Sequence, residues 1–306
     1  MSDAGAVALD SLRGLALGDG FGERWFHHAN REAIKMIKAR QIPSESPWYW
    51  TDDTAMALTT VHMLHLHGQI RQDGLARMLA ATYQADLYRG YGRGMTVLLP
   101  QLAADPSMWG VHARALFGGQ GSLGNGAAMR AAPLGAWFCH DLDLARQQAH
   151  RAAEVTHAHP EGISGAIAVA LAAASAAASR AGPAPDPRSF LEQAAKWVPG
   201  PVGDGIARAA ALSPDTPAWK AADLLGNGQR VRASDTVPFA LWSAAHHLDD
   251  LPAALWTTAE GLGDVDTTCA ITAGIVAART GLAGIPPAWL GLCEPLPDWT
   301  QTLASA

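Results

Sequence analysis

Apolar residues recur at helical spacing along nearly the whole chain. Met56, Ala57 and Leu58 continue through Val61, Leu64 and Leu66 as one apolar face. Leu75, Met78, Leu79, Thr82 and Leu87 form a second between Leu75 and Tyr88, and Leu144–Val155 and Thr236–Leu248 read the same way. From Ile163 to Ser179 alanine dominates, which favours a helix with side chains small enough to let neighbouring helices approach closely. No alternation of β-branched and polar residues runs beyond about five positions. The pattern predicts an all-α fold.

Glycine and proline interrupt it at Ser44–Pro47, Gly118–Gly126, Gly182–Pro187 and Val198–Gly203. The segment Gly182-Pro183-Ala184-Pro185-Asp186-Pro187 reads either as an interdomain linker or as a surface loop. Helical periodicity resumes at once on both sides, which favours the loop and a single domain over 1–306. The tail from Gly284 carries four prolines with Trp289 and Trp299 and is expected to wrap over the body.

Composition narrows the function. Hydrophobic residues make up 49% of the chain and charged residues 16%, enough for a sizeable core. A net charge of −6 argues against direct nucleic-acid binding. Cys139, Cys269 and Cys293 form no C-x-x-C pair, which argues against a disulfide framework or a structural zinc. Met1–Asp10 has no signal-peptide pattern, and the apolar tract Ala166–Ala178 is shorter than the roughly 20 residues a bilayer span needs. The expectation is a cytoplasmic protein without membrane contact. Oligomeric state is not legible.

Two acidic clusters carry the candidate chemistry. Thr51-Asp52-Asp53-Thr54 precedes one apolar helix, and Asp264-Val265-Asp266-Thr267 precedes another that ends at Gly281. Each reads as a helix cap or as a cation site. A cap needs one such residue, whereas adjacent aspartates repel unless a cation sits between them. Asp264 and Asp266 share a face if the segment is extended. Hard oxygen donors suit Mg²⁺ or Mn²⁺.

Other segments are weaker. Gly118–Gly126 enters Ala127-Ala128-Met129-Arg130 as a loop or as a phosphate cradle, but without the Lys-Ser/Thr of a P-loop. Arg89-Gly90-Tyr91-Gly92-Arg93-Gly94 is a helix–helix turn or a second backbone approach to a ligand. Thr156-His157-Ala158-His159-Pro160 fits substrate or supporting hydrogen bonds better than metal ligation. His62, His65 and His67, like His27-His28 and His246-His247, read as solvated faces.

In this order the segments resemble the ADP-ribosylglycohydrolase family. The matching pieces are Gly14 to Gly22 with Asp19, Thr51–Thr54, Gly90–Gly92 with Thr96, Gly124–Arg130 with Ala132-Pro133, Thr156–Pro160 and Gly263–Thr267. The resemblance implies a compact orthogonal helical bundle with two Mg²⁺ or Mn²⁺ ions, acting on an ADP-ribose-bearing protein or small molecule. By position, Thr51, Asp52 and Asp53 would hold one ion and Asp264, Asp266 and Thr267 the other, with Asp53 or Asp266 as catalytic base. Gly90, Tyr91, Gly92, Gly124, Asn125, Gly126, Met129, His157 and His159 would contact substrate, and Asp19 would support the site. Many relatives carry a glutamate where this chain has Phe26, and Glu23 is the nearest acid to replace it. The acceptor could be arginine, serine or a small conjugate. A non-catalytic relative and a hydrolase of another conjugate or phosphoester are the alternatives.

Overall fold

A computed structural model describes residues 2–27, 30–42 and 46–304. Ser44, Glu45 and His28, named above in a break and a histidine pair, lie outside the described residues. The helices are α1 (Ser2–Glu23), α2 (Asn30–Lys38), α3 (Asp52–His67), α4 (Gln72–Ala85), α5 (Arg93–Ala104), α6 (Trp109–Gly119), α7 (Ala132–Trp137) and α8 (Leu142–Glu154). They continue as α9 (Pro160–Ala178), α10 (Pro187–Lys196), α11 (Pro201–Ala211), α12 (Ala218–Leu225), α13 (Ala233–His246), α14 (Leu251–Ala259), α15 (Val265–Thr280) and α16 (Pro287–Leu290). Among the described residues there is no strand, only isolated bridges between Trp48 and Cys293 and between Gly124 and Arg232. The fold is all-α.

Helices α1 and α15 form the central pair. Glycines at four-residue spacing line one face of α1, so their backbones can meet α15. A Cβ on Gly14 would stand 2.2 Å from the Ala277 Cβ, one on Gly18 2.3 Å from the Cys269 carbonyl oxygen, and one on Gly22 2.5 Å from the Asp266 Cα. Ser11 Oγ donates to the Gly274 carbonyl at 2.7 Å along the same contact. This approach brings Asp19 on α1 beside the first turns of α3 and α15.

Helix α9 begins earlier than its alanine run predicts, because Pro160 fills the first turn and His159 caps it: His159 Nδ1 accepts from the Glu161 N–H at 3.1 Å. Its length and composition would allow a membrane span, yet 83% of its most apolar window is buried within the fold. Beyond the Gly182–Asp186 loop, α10 folds back onto α9, α11 and α13. Leu87 and Tyr88 fall outside α4, which ends at Ala85, and both are exposed.

The tail wraps the body as its prolines suggest. Trp289 stacks on Phe21 at 5.4 Å within a cluster that includes Trp48 and Trp256. The Trp48 N–H donates to the Leu292 carbonyl at 2.6 Å, and the Glu294 N–H donates to the Trp48 carbonyl at 3.0 Å. Trp299 covers His62, with ring centroids 4.5 Å apart. The solvated reading of that histidine face therefore holds for exposed His67 and not for His62, which the tail shields.

Candidate active site

The first acidic turn is capped without using its paired aspartates. Thr51 is the N-cap of α3, and its Oγ1 accepts from the Asp53 N–H at 3.3 Å. Fully buried Asp19 accepts through Oδ2 from the Thr51 N–H (2.9 Å), the Thr54 N–H (3.1 Å) and the Thr54 hydroxyl (2.6 Å). The Asp52 N–H donates to the Arg89 carbonyl at 2.7 Å. With the backbone donors so satisfied, the Asp52 and Asp53 carboxylates are released toward the cavity. Asp53 Oδ2 accepts from the hydroxyls of Thr51 (3.3 Å) and Thr267 (3.4 Å), while its Oδ1 is buried with no partner among the described residues.

The second cluster follows a turn with Leu262 at φ 51° and Gly263 at φ 75°. A Cβ on Gly263 would stand 2.4 Å from the Asn227 carbonyl oxygen, so the close approach as well as the positive φ requires glycine. Asp264 occupies the N-cap position of α15 but caps nothing with its side chain; its Oδ2 accepts from Asn125 Nδ2 at 2.6 Å. Asp266 is already in the first helical turn, not in an extended segment, and its Oδ1 accepts from the Thr267 N–H at 2.7 Å. The two carboxylates reach one cavity from the cap position and the helix start. The Thr267–Asp53 contact joins the clusters across 214 residues of sequence.

Electrostatically the clusters act as one group. Burial, then repulsion from Asp19, raises Asp52 to about 7. Burial likewise raises Asp53 and Asp266 well above the usual carboxylate range, with neighbouring aspartates adding to it. Burial raises Asp264, against the hydrogen bond from Asn125, and raises Asp19 to about 6 despite its Thr54 and Thr51 donors. Carboxylates whose ionisation burial and mutual repulsion oppose, two of them (Asp19 and Asp53) with an oxygen left without a partner among the described residues, fit a divalent cation. The Thr51 and Thr267 hydroxyls add hard donors. Among the described residues no three Asp, Glu, His or Cys side chains already converge on one point.

Thr51 lines a separate recess with Glu23 and Asp266, whereas Asp52, Asp53, Asp264, Asp266 and Thr267 face a cavity of about 520 Å³. Its opposite wall is the glycine loop, with Gly124, Asn125, Gly126 and Met129 all lining it. The loop is held from behind. The Asn125 N–H donates to the Val231 carbonyl (3.3 Å) and the Ala233 N–H to the Leu123 carbonyl (3.1 Å). Glu161 anchors that partner segment through Arg232 Nη2 at 2.7 Å and the Ser234 hydroxyl at 2.6 Å. Gly90, Gly92 and His157 complete the predicted lining. His159 is not among these residues, because it caps α9. Nor is Tyr91, which is buried against a neighbouring cavity of about 450 Å³ beside Trp50 and Trp299. Glu23 and Asp266 line a third recess, of about 530 Å³, with Tyr49, Asp86, Tyr88 and Arg89. Phe26 is 50% exposed.

Sequence reasoning missed several features. Phe117 (φ 51°) and Val231 (φ 54°) are bulky residues in the left-handed region, exposed at the cavity rim beside Arg93 and Arg230. An aromatic directly before the glycine run was the available signal for Phe117. Glu294 gave none: it grips Arg89 through two bonds, at 2.7 and 2.8 Å, while the guanidinium lies 3.6 Å over the Trp50 ring.

A family model described as ADP-ribosylglycohydrolase matches residues 4–306. The human protein ADP-ribosylhydrolase ARH3 is 33% identical over 168 residues, 51% of this chain and 46% of that protein. The mouse protein of the same name is 37% identical over 121 residues, 39% of this chain and 32% of its own length. The matched part thus spans about half or less of these relatives. A solved structure, an ADP-ribosylglycohydrolase-related protein complex, superposes with a TM-score of 0.64 at 23% identity. The match covers 99% of this chain and 97% of that one, which shows the fold.

Proposed function

Because the chain belongs to the ADP-ribosylglycohydrolase family, we propose that it hydrolyses the glycosidic bond between ADP-ribose and an acceptor. The observation that carries this reading is the single cavity in which Asp52, Asp53, Asp264 and Asp266 face the glycine loop Gly124–Gly126. Phosphate oxygens suit the guanidinium groups of Arg93 and Arg230, which line the cavity beside the loop. The exposed ring of Phe117, with Val231, suits the flat base of an adenosine.

Thr51, Asp52, Asp53, Asp264, Asp266 and Thr267 would hold two Mg²⁺ or Mn²⁺ ions. When bound, these would supply Lewis-acid polarisation of sugar oxygens and lower the pKa of a nearby water. The chain's own groups do the rest. Asn125 steadies Asp264 and, through its second N–H, bonds Thr236 Oγ1 at 3.0 Å. Thr267 and Thr51 steady Asp53. Asp53 or Asp266 accepts the proton of the attacking water as the anomeric centre passes through an oxocarbenium-like state.

The acceptor leaves on the far side of Asp266, through the recess lined by Glu23, Asp86 and the exposed rings of Tyr49 and Tyr88. Glu23, which lines this recess, would be the acid that acts there. Asp86 is paired with Arg89 at 2.8 Å, so it is Glu23 and the aromatic faces that favour a cationic acceptor such as the arginine guanidinium over the serine hydroxyl. Release of ADP-ribose from arginine- and serine-modified peptides, with Mg²⁺, with Mn²⁺ and with chelator, tests the reading. Faster release from arginine, abolished by chelator, is expected. Full activity in excess chelator refutes the two-ion site, and faster release from serine refutes the acceptor assignment. Purified protein that releases no ADP-ribose in any arm would point instead to a non-catalytic relative.

A further inference from the structure

Behind the glycine loop lies a buried cation with no part in the chemistry above. Arg130 is 1% exposed. Its Nη2 donates to the Ala152 carbonyl at 3.0 Å and to Thr156 Oγ1 at 2.8 Å, while Nε and Nη1 have no partner among the described residues. Burial lowers the guanidinium only to about 10, so it stays charged at neutral pH. Thr156 is fully buried, and its Oγ1 stands 2.8 Å from His157 Nδ1.

The direction of this chain follows from what each group can do. A guanidinium only donates, so the Thr156 hydroxyl oxygen receives an Arg130 hydrogen. The hydroxyl's own hydrogen then needs an acceptor, and His157 Nδ1 is the one within reach. The opposite arrangement, with Nδ1–H donating to the hydroxyl, would leave that hydrogen buried and unpaired, which protein interiors rarely tolerate. If Nδ1 accepts, the ring proton is on Nε2. That atom faces the cavity: it lies 3.1 Å from where a Cβ on Gly126 would stand and 3.5 Å from one on Gly124.

We propose that Arg130 is a positioning residue which, through Thr156, locks His157 in its neutral Nε2–H tautomer and so presents a fixed N–H donor to an anionic oxygen bound beside the glycine loop. Burial, then the Arg130 charge, lowers His157 to about 3, so the donor does not change with pH in the neutral range. A neutral donor can bind an anionic oxygen without exchanging protons with the carboxylates across the cavity. The identity of the ligand rests on the function proposed above, but the tautomer does not.

The experiment uses the full chain labelled with ¹⁵N-histidine, with the His157 signals identified by their loss in H157Q. Two-bond ¹H–¹⁵N spectra are expected to show Nδ1 unprotonated and Nε2 protonated, unchanged from about pH 5 to 8. T156S keeps the hydroxyl and should keep this pattern. T156V removes it and should give both tautomers, with affinity for free ADP-ribose by calorimetry reduced about tenfold, the scale of one oriented hydrogen bond. R130Q is read in the same way. A protonated Nδ1 in the wild type overturns the proposal by itself, whether or not the variants fold. So does a T156V spectrum identical to wild type. A wild type that gives the expected spectrum but binds no ADP-ribose overturns the functional reading alone.

Discussion

Replacing Gly22 with alanine tests whether the α1–α15 contact sets the geometry of the carboxylates. The new Cβ would stand 2.5 Å from the Asp266 Cα, 2.5 Å from the Val265 carbonyl oxygen and 2.7 Å from the Asp266 nitrogen. Ordinary contact begins at 3.4 Å, so the helices must part locally by about 0.9 Å. All three neighbours are backbone atoms of the first turn of α15, and none can rotate away. Overpacking of this kind costs about 1–3 kcal/mol, while alanine's helix propensity offsets about 1 kcal/mol. The expected net loss is about 1 kcal/mol in urea unfolding. The effect on turnover should be larger. Asp266 moves with the turn, whereas Asp53 stays with α3 and Asp19, and a displacement near 1 Å at a reacting centre costs about 100-fold. Mg²⁺-dependent release of ADP-ribose measures this. G182A is the control, since its Cβ meets nothing within 4 Å among the described residues. If G22A matches G182A in both stability and turnover, the glycine contact does not position Asp266.

Three further outcomes follow from the same geometry. Asp19 and Asp52 titrate at about 6 and about 7 when folded, above their ordinary 3.8. The folded state therefore holds more protons between those values, and chelated protein should lose stability as pH rises from about 4 through 7. Mg²⁺ or Mn²⁺ should raise the melting temperature more at pH 8 than at pH 5; an equal rise at both contradicts the carboxylate cluster as the binding site. E294A leaves Arg89 partly buried with Asp86 as its remaining ion-pair partner, and should cost about 1–3 kcal/mol in thermal unfolding. Turnover should fall with it, because the Arg89 carbonyl holds the Asp52 N–H. F117A should weaken ADP-ribose binding about tenfold in calorimetry, the scale of losing one stacked ring; unchanged affinity removes Phe117 from the base-binding surface.

What the sequence determined by itself is what depends on neighbouring residues. Apolar spacing placed the helices, and Thr51–Asp53 and Asp264–Thr267 were legible as acidic helix starts because a start is written in three or four consecutive residues. Whether those acids cap or face a cavity was not legible. Asp19, 32 residues before Thr51, takes over backbone donors at the α3 start and frees Asp52 and Asp53, and no local pattern encodes that. Nor could spacing show that Thr267 would meet Asp53, that Glu294 would hold Arg89 or that Arg130 would reach His157 through Thr156. His157 and His159 lie two residues apart in one motif, yet one lines the cavity and the other caps α9. The physical reason is range. Helix propensity and capping act within a few residues, whereas the site forms only where α1, α3, α9 and α15 pack, and the glycines of α1 set how closely its central pair can approach.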